Sequence, residues 1–241
     1  MAKSAIVFGV GASRGLGAAL VRRFAREGYH VVVTGRTADK LSIIVDEIKS
    51  IGFSASTGVV DVTTGAGLGD AFDDAQKSGT LEAVLYNVGN NAIIPFMDLE
   101  ADTFEAFWRV GCLGGFLVGQ EAVRRMLPAG RGSILYTGAS GSLRGRVNFA
   151  HFASAKAGLR AMVQSMAREF GPQGLHVGHV VIDGVIDGDM VRSRFNDYIE
   201  SKGDDGALAP DAIADAFWSV HCQPRSAWTQ EIDLRPWVEN W

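Results

Sequence analysis

Gly9-Val10-Gly11-Ala12-Ser13-Arg14-Gly15-Leu16-Gly17 is the stretch that decides how this chain folds. The apolar run before it, Ala5-Ile6-Val7-Phe8, has the composition of a buried strand. After it, residues Leu16 to Glu27 place Leu16, Ala19, Leu20 and Phe24 at helical spacing, and Gly28 stops the helix. Glycines 11, 15 and 17 therefore fall in a strand-to-helix turn with the spacing Gly-x-x-x-Gly-x-Gly. Glycine permits backbone angles and close approaches that other residues forbid. A helix opening at such a turn points unpaired N–H groups and a positive dipole end at a phosphate.

The same alternation runs outward from that turn. Val31-Val32-Val33 is a second strand, and a helix over Ala38 to Ser50 carries Leu41, Ile44, Val45 and Ile48 on one face. Val59-Val60 is a third strand ending at Asp61, and Ala83 to Tyr86 a fourth. A long helical stretch over Thr103 to Leu127 precedes a strand at Ser133 to Tyr136. A helix over Phe149 to Phe170 precedes a strand at Val177 to Ile182. A helix over Ala209 to Val220 and a strand over Trp228 to Leu234 close the chain. Apolar strands alternating with amphipathic helices imply one α/β domain over residues 1–241. Its expected form is a doubly wound, Rossmann-type parallel sheet with helices on both faces. Such sheets bind ligands beyond the carboxyl ends of their strands. Residues 188–208 are polar and glycine-containing, and are expected to form a lid over the substrate.

Composition narrows the function classes. The chain has 241 residues, 47% of them hydrophobic and 21% charged, with net charge −4. That balance gives no basic excess for nucleic acid or an anionic membrane and points to a small-molecule ligand. Two cysteines, Cys112 and Cys222, make no disulfide framework, and no metal-ligand spacing is visible, which points to a reducing cytoplasm. No segment holds the roughly 18 apolar residues of a membrane span, and the first residues do not read as a signal peptide.

The end of the second strand bears on the cofactor. A Rossmann site for NAD carries an acidic residue there for the ribose 2′-OH. This chain has Thr34-Gly35-Arg36. A guanidinium offers a fork of donors to a 2′-phosphate, and Arg14 adds a second positive charge nearby. NADP(H) is favoured over NAD(H).

Gly11-Ala12-Ser13-Arg14-Gly15-Leu16-Gly17 resembles the cofactor motif of short-chain dehydrogenases/reductases, with Val10 where that family usually has Thr. Asp61-Val62 and Asn87-Val88-Gly89 follow in the family's order, the first where an Asp accepts from the adenine amino group, the second like its Asn-Ala-Gly. The resemblance covers nearly the whole chain. It implies cofactor contacts from Gly11, Ser13, Arg14, Gly15, Leu16, Gly17, Arg36, Asp61, Val62, Asn87, Val88 and Gly89. It adds Lys156, Gly184, Val185 and Ile186 to them.

The family moves a hydride between nicotinamide and a carbonyl or alcohol carbon, using a Tyr as general acid/base, a Lys four residues later, a Ser and an Asn. Here the motif reads Phe152-Ala153-Ser154-Ala155-Lys156. Lys156 is kept, Phe152 replaces the tyrosine, Ala139 stands thirteen residues before it in place of the serine, and Gly111 replaces the asparagine. Lys156, the Phe152 position and Ser140 are the expected catalytic set. Ser142, His151 and Asp183 are further candidate acids, Asp183 standing where the family has Pro and Gly188 where it has Thr. His151, next to Phe152, points about 100° away around the helix, which argues against it.

Three readings follow. One is an NADP(H)-dependent oxidoreductase acting on a small carbonyl, enone or imine through a divergent site. The second is a catalytically silent NADP(H)-binding sensor. The third is a structural subunit of a hetero-oligomer, against which the intact glycines, Arg36, Asp61 and Lys156 speak. A homodimer or homotetramer is expected. Its surface would be the glycine-rich face around Cys112 to Val118, the helix after Phe152, and Trp228, Trp237 and Trp241.

Overall fold

The computed structural model describes residues 2–240, so Trp241 lies outside it. Seven strands form one sheet: β1 (Lys3–Phe8), β2 (Tyr29–Gly35), β3 (Ala55–Val59), β4 (Thr80–Tyr86), β5 (Ser133–Thr137), β6 (His176–Ile182) and β7 (Glu231–Leu234). All pairings are parallel, in the order β3-β2-β1-β4-β5-β6-β7. The helices between them are α1 (Leu16–Arg26), α2 (Ala38–Ser50), α3 (Leu68–Ser78), α4 (Ala101–Trp108), α5 (Gly114–Met126), α6 (Ala150–Phe170), α7 (Asp189–Ser201) and α8 (Pro210–His221).

A strand's side chains alternate between faces, so a strand covered on both sides must be apolar throughout. In β1, Ala5 and Val7 enter a core with Leu20 and Phe24 of α1, Leu41 and Ile44 of α2 and Phe217 of α8. Ile6 and Phe8 enter the opposite core with Phe72 of α3, Val118 of α5 and Leu159 of α6. The strand order reverses at β1, between β2 and β4, and the carboxyl ends of these strands open a crevice there.

The structure corrects four expectations. Helix α3 was not foreseen: its short stripe of Leu68, Ala71, Phe72 and Ala75 is hidden among Gly65, Gly67 and Gly69. The third strand covers Ala55–Val59, with Val60 already past its end. The 188–208 segment, expected as a lid, is in good part helical. It contains α7, whose sole buried side chain is Ile199, so there was no apolar stripe to betray it. The last strand begins at Glu231, and Trp228 before it stacks on His176 at 4.8 Å.

The long helical stretch is two helices joined by a π-type turn at Arg109–Leu113. Its glycine-rich stretch is divided, with Phe116 exposed and the small residues turned inward. Cys112, Gly114, Gly115 and Val118 are buried within the chain. A Cβ on Gly114 would sit 2.6 Å from the Tyr86 hydroxyl, and one on Gly115 would sit 2.6 Å from Leu159 Cδ1. The glycines let α5 lie close against the sheet.

One backbone position is set by the turn after β1. Gly9 has φ +88°, and a Cβ there would lie 2.6 Å from the Asn87 carbonyl oxygen. Gly9→Ala combines a left-handed backbone with that clash, and we expect it to cost at least about 2 kcal/mol of stability. A urea midpoint unchanged from wild type would contradict this account of the turn.

Candidate cofactor cleft and catalytic site

The crevice beyond β1, β2 and β4 is a cleft of about 260 Å³. Gly9, Val10 and Gly11 form one wall, Thr34 to Arg36 and Val60 to Thr63 a second, and Asn87 to Asn90 with Val110 a third. The amides of Gly9 and Val10 both donate to the Thr34 carbonyl, at 3.1 and 2.9 Å, which folds the turn back over β2. Gly17 supports it from below, since a Cβ there would lie 2.7 Å from the Gly9 carbonyl oxygen. A Cβ on Gly11 would meet nothing within 4 Å, so that glycine faces open space. Helix α1 opens at Gly15 with no side-chain cap and no acidic residue in its first turn. Its first N–H groups remain for an anion. These features fit a dinucleotide phosphate.

The other walls are polar and rigid. Asn87 Nδ2 donates to the Gly9 carbonyl at 3.4 Å, and its Oδ1 accepts from Thr137 Oγ1 at 3.1 Å, tying β4 to both neighbours. Asp61 Oδ1 accepts from the Thr63 amide at 2.9 Å and from its hydroxyl at 2.7 Å. Those hydrogen bonds, helped by Arg36, hold the Asp61 carboxyl below its ordinary range. Arg36 is exposed at the rim.

Lys156 projects from α6 toward the far end of this cleft. It is buried, and its Nζ donates to the Thr137 carbonyl at 2.8 Å. A Cβ on Gly89 would sit 3.5 Å from that nitrogen. Burial pushes the Lys156 pKa down to about 8. One turn earlier on α6, Phe152 packs its ring on Gly141 and lines a hollow of about 90 Å³. Asn91, Ser140, Arg144 and Phe149 share that hollow. Gly111 lies in the π-type turn, whose Val110 carbonyl accepts from the Tyr86 hydroxyl at 2.6 Å. A Cβ on Gly111 would lie 2.8 Å from Ala155 Cβ. Helix α6 has closed over the position, leaving no room for a longer side chain.

Residues 5–199 match the family model for short chain dehydrogenase. The chain belongs to the short-chain dehydrogenase/reductase family. It is 27% identical over 225 residues to gluconate 5-dehydrogenase of Gluconobacter oxydans, covering 93% of this chain and 82% of that one. A short-chain dehydrogenase structure from Rhodopseudomonas palustris is 36% identical, with TM-score 0.82 over 98% of this chain and 99% of that one. A metagenomic short-chain oxidoreductase solved in complex with NADP is 24% identical and shares the fold, with TM-score 0.80 over 98% of each chain.

The sequence-predicted residues divide within this short-chain dehydrogenase/reductase fold. Gly11, Arg36, Asp61, Val62, Asn87, Val88 and Gly89 line the cleft together. Gly15, Leu16 and Gly17 support the turn from behind, with Leu16 buried in the core. The Ser13 hydroxyl is turned away to Glu47, donating to its Oε2 at 2.9 Å, while Arg22 clamps both residues. Gly184, Val185 and Ile186 do not line the cleft. A Cβ on Gly184 would meet Pro236 at 2.6 Å, and the Val185 carbonyl and Ile186 pair with Leu208.

The structure places each candidate acid. Asp183 is fully buried and receives two hydrogen bonds from Arg144, at 3.0 and 2.9 Å, with Arg235 at 3.9 Å. It is an ion-pair anchor between β6 and the loop after β5, neither a cap nor an available acid. His151 is buried against Phe107, ring to ring at 4.2 Å, and faces α4. Ser142 turns inward, accepting from the Ala139 amide at 3.1 Å and meeting His179 Nε2 at 3.5 Å. Ser140 alone of these lines the Phe152 hollow. Sequence reasoning missed Gly9, Val10, Thr34, Gly35, Val60, Thr63, Asn90 and Val110 as wall residues. The Gly9-x-Gly11 spacing was the available signal for the first.

Burial of Lys156 gives a pH signature. Between about pH 8 and 10.5 the unfolded chain holds a proton that the folded chain has released, so stability rises with pH across that window. Below it the full penalty applies, on the order of 3 kcal/mol. Lys156→Met should therefore raise the cofactor-free melting temperature relative to wild type more near pH 7 than near pH 10. A difference independent of pH would contradict the placement of this ammonium.

Proposed function

We propose that this protein is an NADP(H)-dependent oxidoreductase that transfers hydride to or from a small carbonyl, enone or imine without a tyrosine acid. The observation that carries the reading is Lys156, an ammonium buried at the Gly89 end of the cleft beside a ring that has no proton to give. A relative solved with NADP and the fit of the glycine turn to phosphate support the cofactor class.

When bound, the cofactor supplies hydride chemistry. The chain's own residues do the rest. The glycine turn and the start of α1 offer N–H groups to phosphate. Arg36 offers a guanidinium at the β2 end, where a 2′-phosphate distinguishes NADP(H) from NAD(H). Asp61 offers its second carboxylate oxygen to an amino group. Phe152 lines the hollow shared with Ser140 and presents a ring with no proton to donate. With a pKa of about 8, Lys156 is mostly protonated near neutrality and holds a proton at Nζ. A substrate that brings its own proton, such as an iminium, or one that spreads negative charge, such as an enone, asks least of this arrangement.

A general acid contributes about 10²–10⁴-fold to such a reaction. Phe152→Tyr should raise NADPH oxidation by a factor in that range across a panel of carbonyls, enones and imines, and Lys156→Met should lower the wild-type rate. No turnover across the panel by wild type and by Phe152→Tyr, with NADPH bound, would defeat the oxidoreductase reading. It would favour a silent NADP(H)-binding sensor, the second reading that Phe152, Ala139 and Gly111 support. Cofactor choice is tested separately. Arg36→Ala should weaken NADPH about tenfold or more while leaving NADH nearly unchanged. Equal loss for both would remove Arg36 from the 2′-phosphate.

A further inference from the structure

Helix α7 begins against the glycine turn. The Arg14 amide donates to Asp189 Oδ2 at 3.2 Å, and Arg14 Nε lies 3.9 Å from Asp189 Oδ1. Gly188 sits directly on the turn, where a Cβ would lie 2.9 Å from the Arg14 carbonyl oxygen and 3.8 Å from Gly15 Cα. A carboxylate thus occupies a turn amide and a guanidinium, the kind of partners that a phosphate oxygen takes at the start of a helix.

The segment that brings Asp189 there is built as a unit. Its ends are stitched together beside the sheet: the Asp187 amide donates to the Leu208 carbonyl at 2.9 Å, and the Leu208 amide to the Val185 carbonyl at 2.8 Å. Arg192 is paired with Asp187 across the first turn of α7, with Nη2 donating to Oδ2 at 2.8 Å. Phe195 breaks the helix with φ −141° and ψ 42°. Ile199 is its one buried side chain, so little core packing holds α7 down. Between the stitched ends, the Asp189 contact is a polar tether that one anion can replace with another.

We infer that Asp189 is an internal competitor for the cofactor's phosphate. It holds the start of α7 on the glycine turn, and a dinucleotide phosphate must displace it to bind. The inference rests on the proposed cofactor site. Asp189 therefore weakens the dinucleotide and couples its binding to release of the start of α7 from the glycine turn. Two phosphates could be the rival, the pyrophosphate common to both dinucleotides or the 2′-phosphate of NADPH alone.

The test is a nicotinamide-fluorescence titration of wild type, Asp189→Asn and Asp189→Ala with NADPH and with NADH. The pair is solvent-exposed, so removal of the charge should lower the NADPH Kd by about three- to tenfold in both variants. An equal gain with NADH identifies the pyrophosphate as the rival, and a gain confined to NADPH identifies the 2′-phosphate. An unchanged or raised NADPH Kd, with melting temperatures close to wild type, overturns the inference and leaves the cofactor site standing. If none of the three proteins binds either dinucleotide, the cofactor reading falls and this inference falls with it.

Discussion

Everything in this molecule depends on three strand ends meeting at one reversal of the chain. β1 stops at Gly9, where a left-handed residue lies against the Asn87 carbonyl. The turn then presses on Gly17 below and Gly35 beside it, a Cβ on Gly35 lying 2.7 Å from the Val10 carbonyl oxygen. A side chain at any of these places would separate β1 from β2, β4 or α1. The contact is close because nothing but backbone fills it. The same closeness leaves α1 to open without a capping side chain, and so leaves N–H groups for a ligand. Packing and binding here come from one requirement.

Behind the cleft the chain manages charge by burial. Thr137 serves two neighbours, its hydroxyl donating to Asn87 and its carbonyl accepting from Lys156. That leaves the ammonium with a partner but without water, which lowers its pKa. Asp183, also buried, is neutralised by Arg144 in a bidentate pair. Lys156 is the buried charged group at the Gly89 end of the cleft. Phe152 and the closed Gly111 position stand where the resemblance places that family's tyrosine and asparagine. The glycine turn and the uncapped start of α1 still fit a dinucleotide phosphate.

Most strands and the cofactor turn were legible because apolar runs and glycine spacing are local signals, whereas β3, with Ala55 its one buried residue, was not placed correctly. Ile6 and Val7 enter opposite cores, which is why β1 reads as an unbroken apolar run. α3 and α7 were not legible: one has a short stripe broken by glycines, the other a single buried residue. The roles of Asp183 and Ser13 were hidden for another reason. Their partners, Arg144 and Glu47, lie 39 and 34 residues away in sequence, and side-chain pairing over that distance follows from the fold alone. Phe152 and Gly111 could be read as substitutions, but only the structure shows that α6 has closed over Gly111.

The central claim is that a dinucleotide occupies the crevice at the β1–β4 reversal. Hydrogen exchange measured by mass spectrometry, with and without saturating NADPH, tests it most directly. The account predicts slower exchange in residues 9–17, 34–36, 60–63 and 87–90, and faster exchange at the start of α7. Unchanged exchange in those four stretches, or protection elsewhere alone, would contradict it.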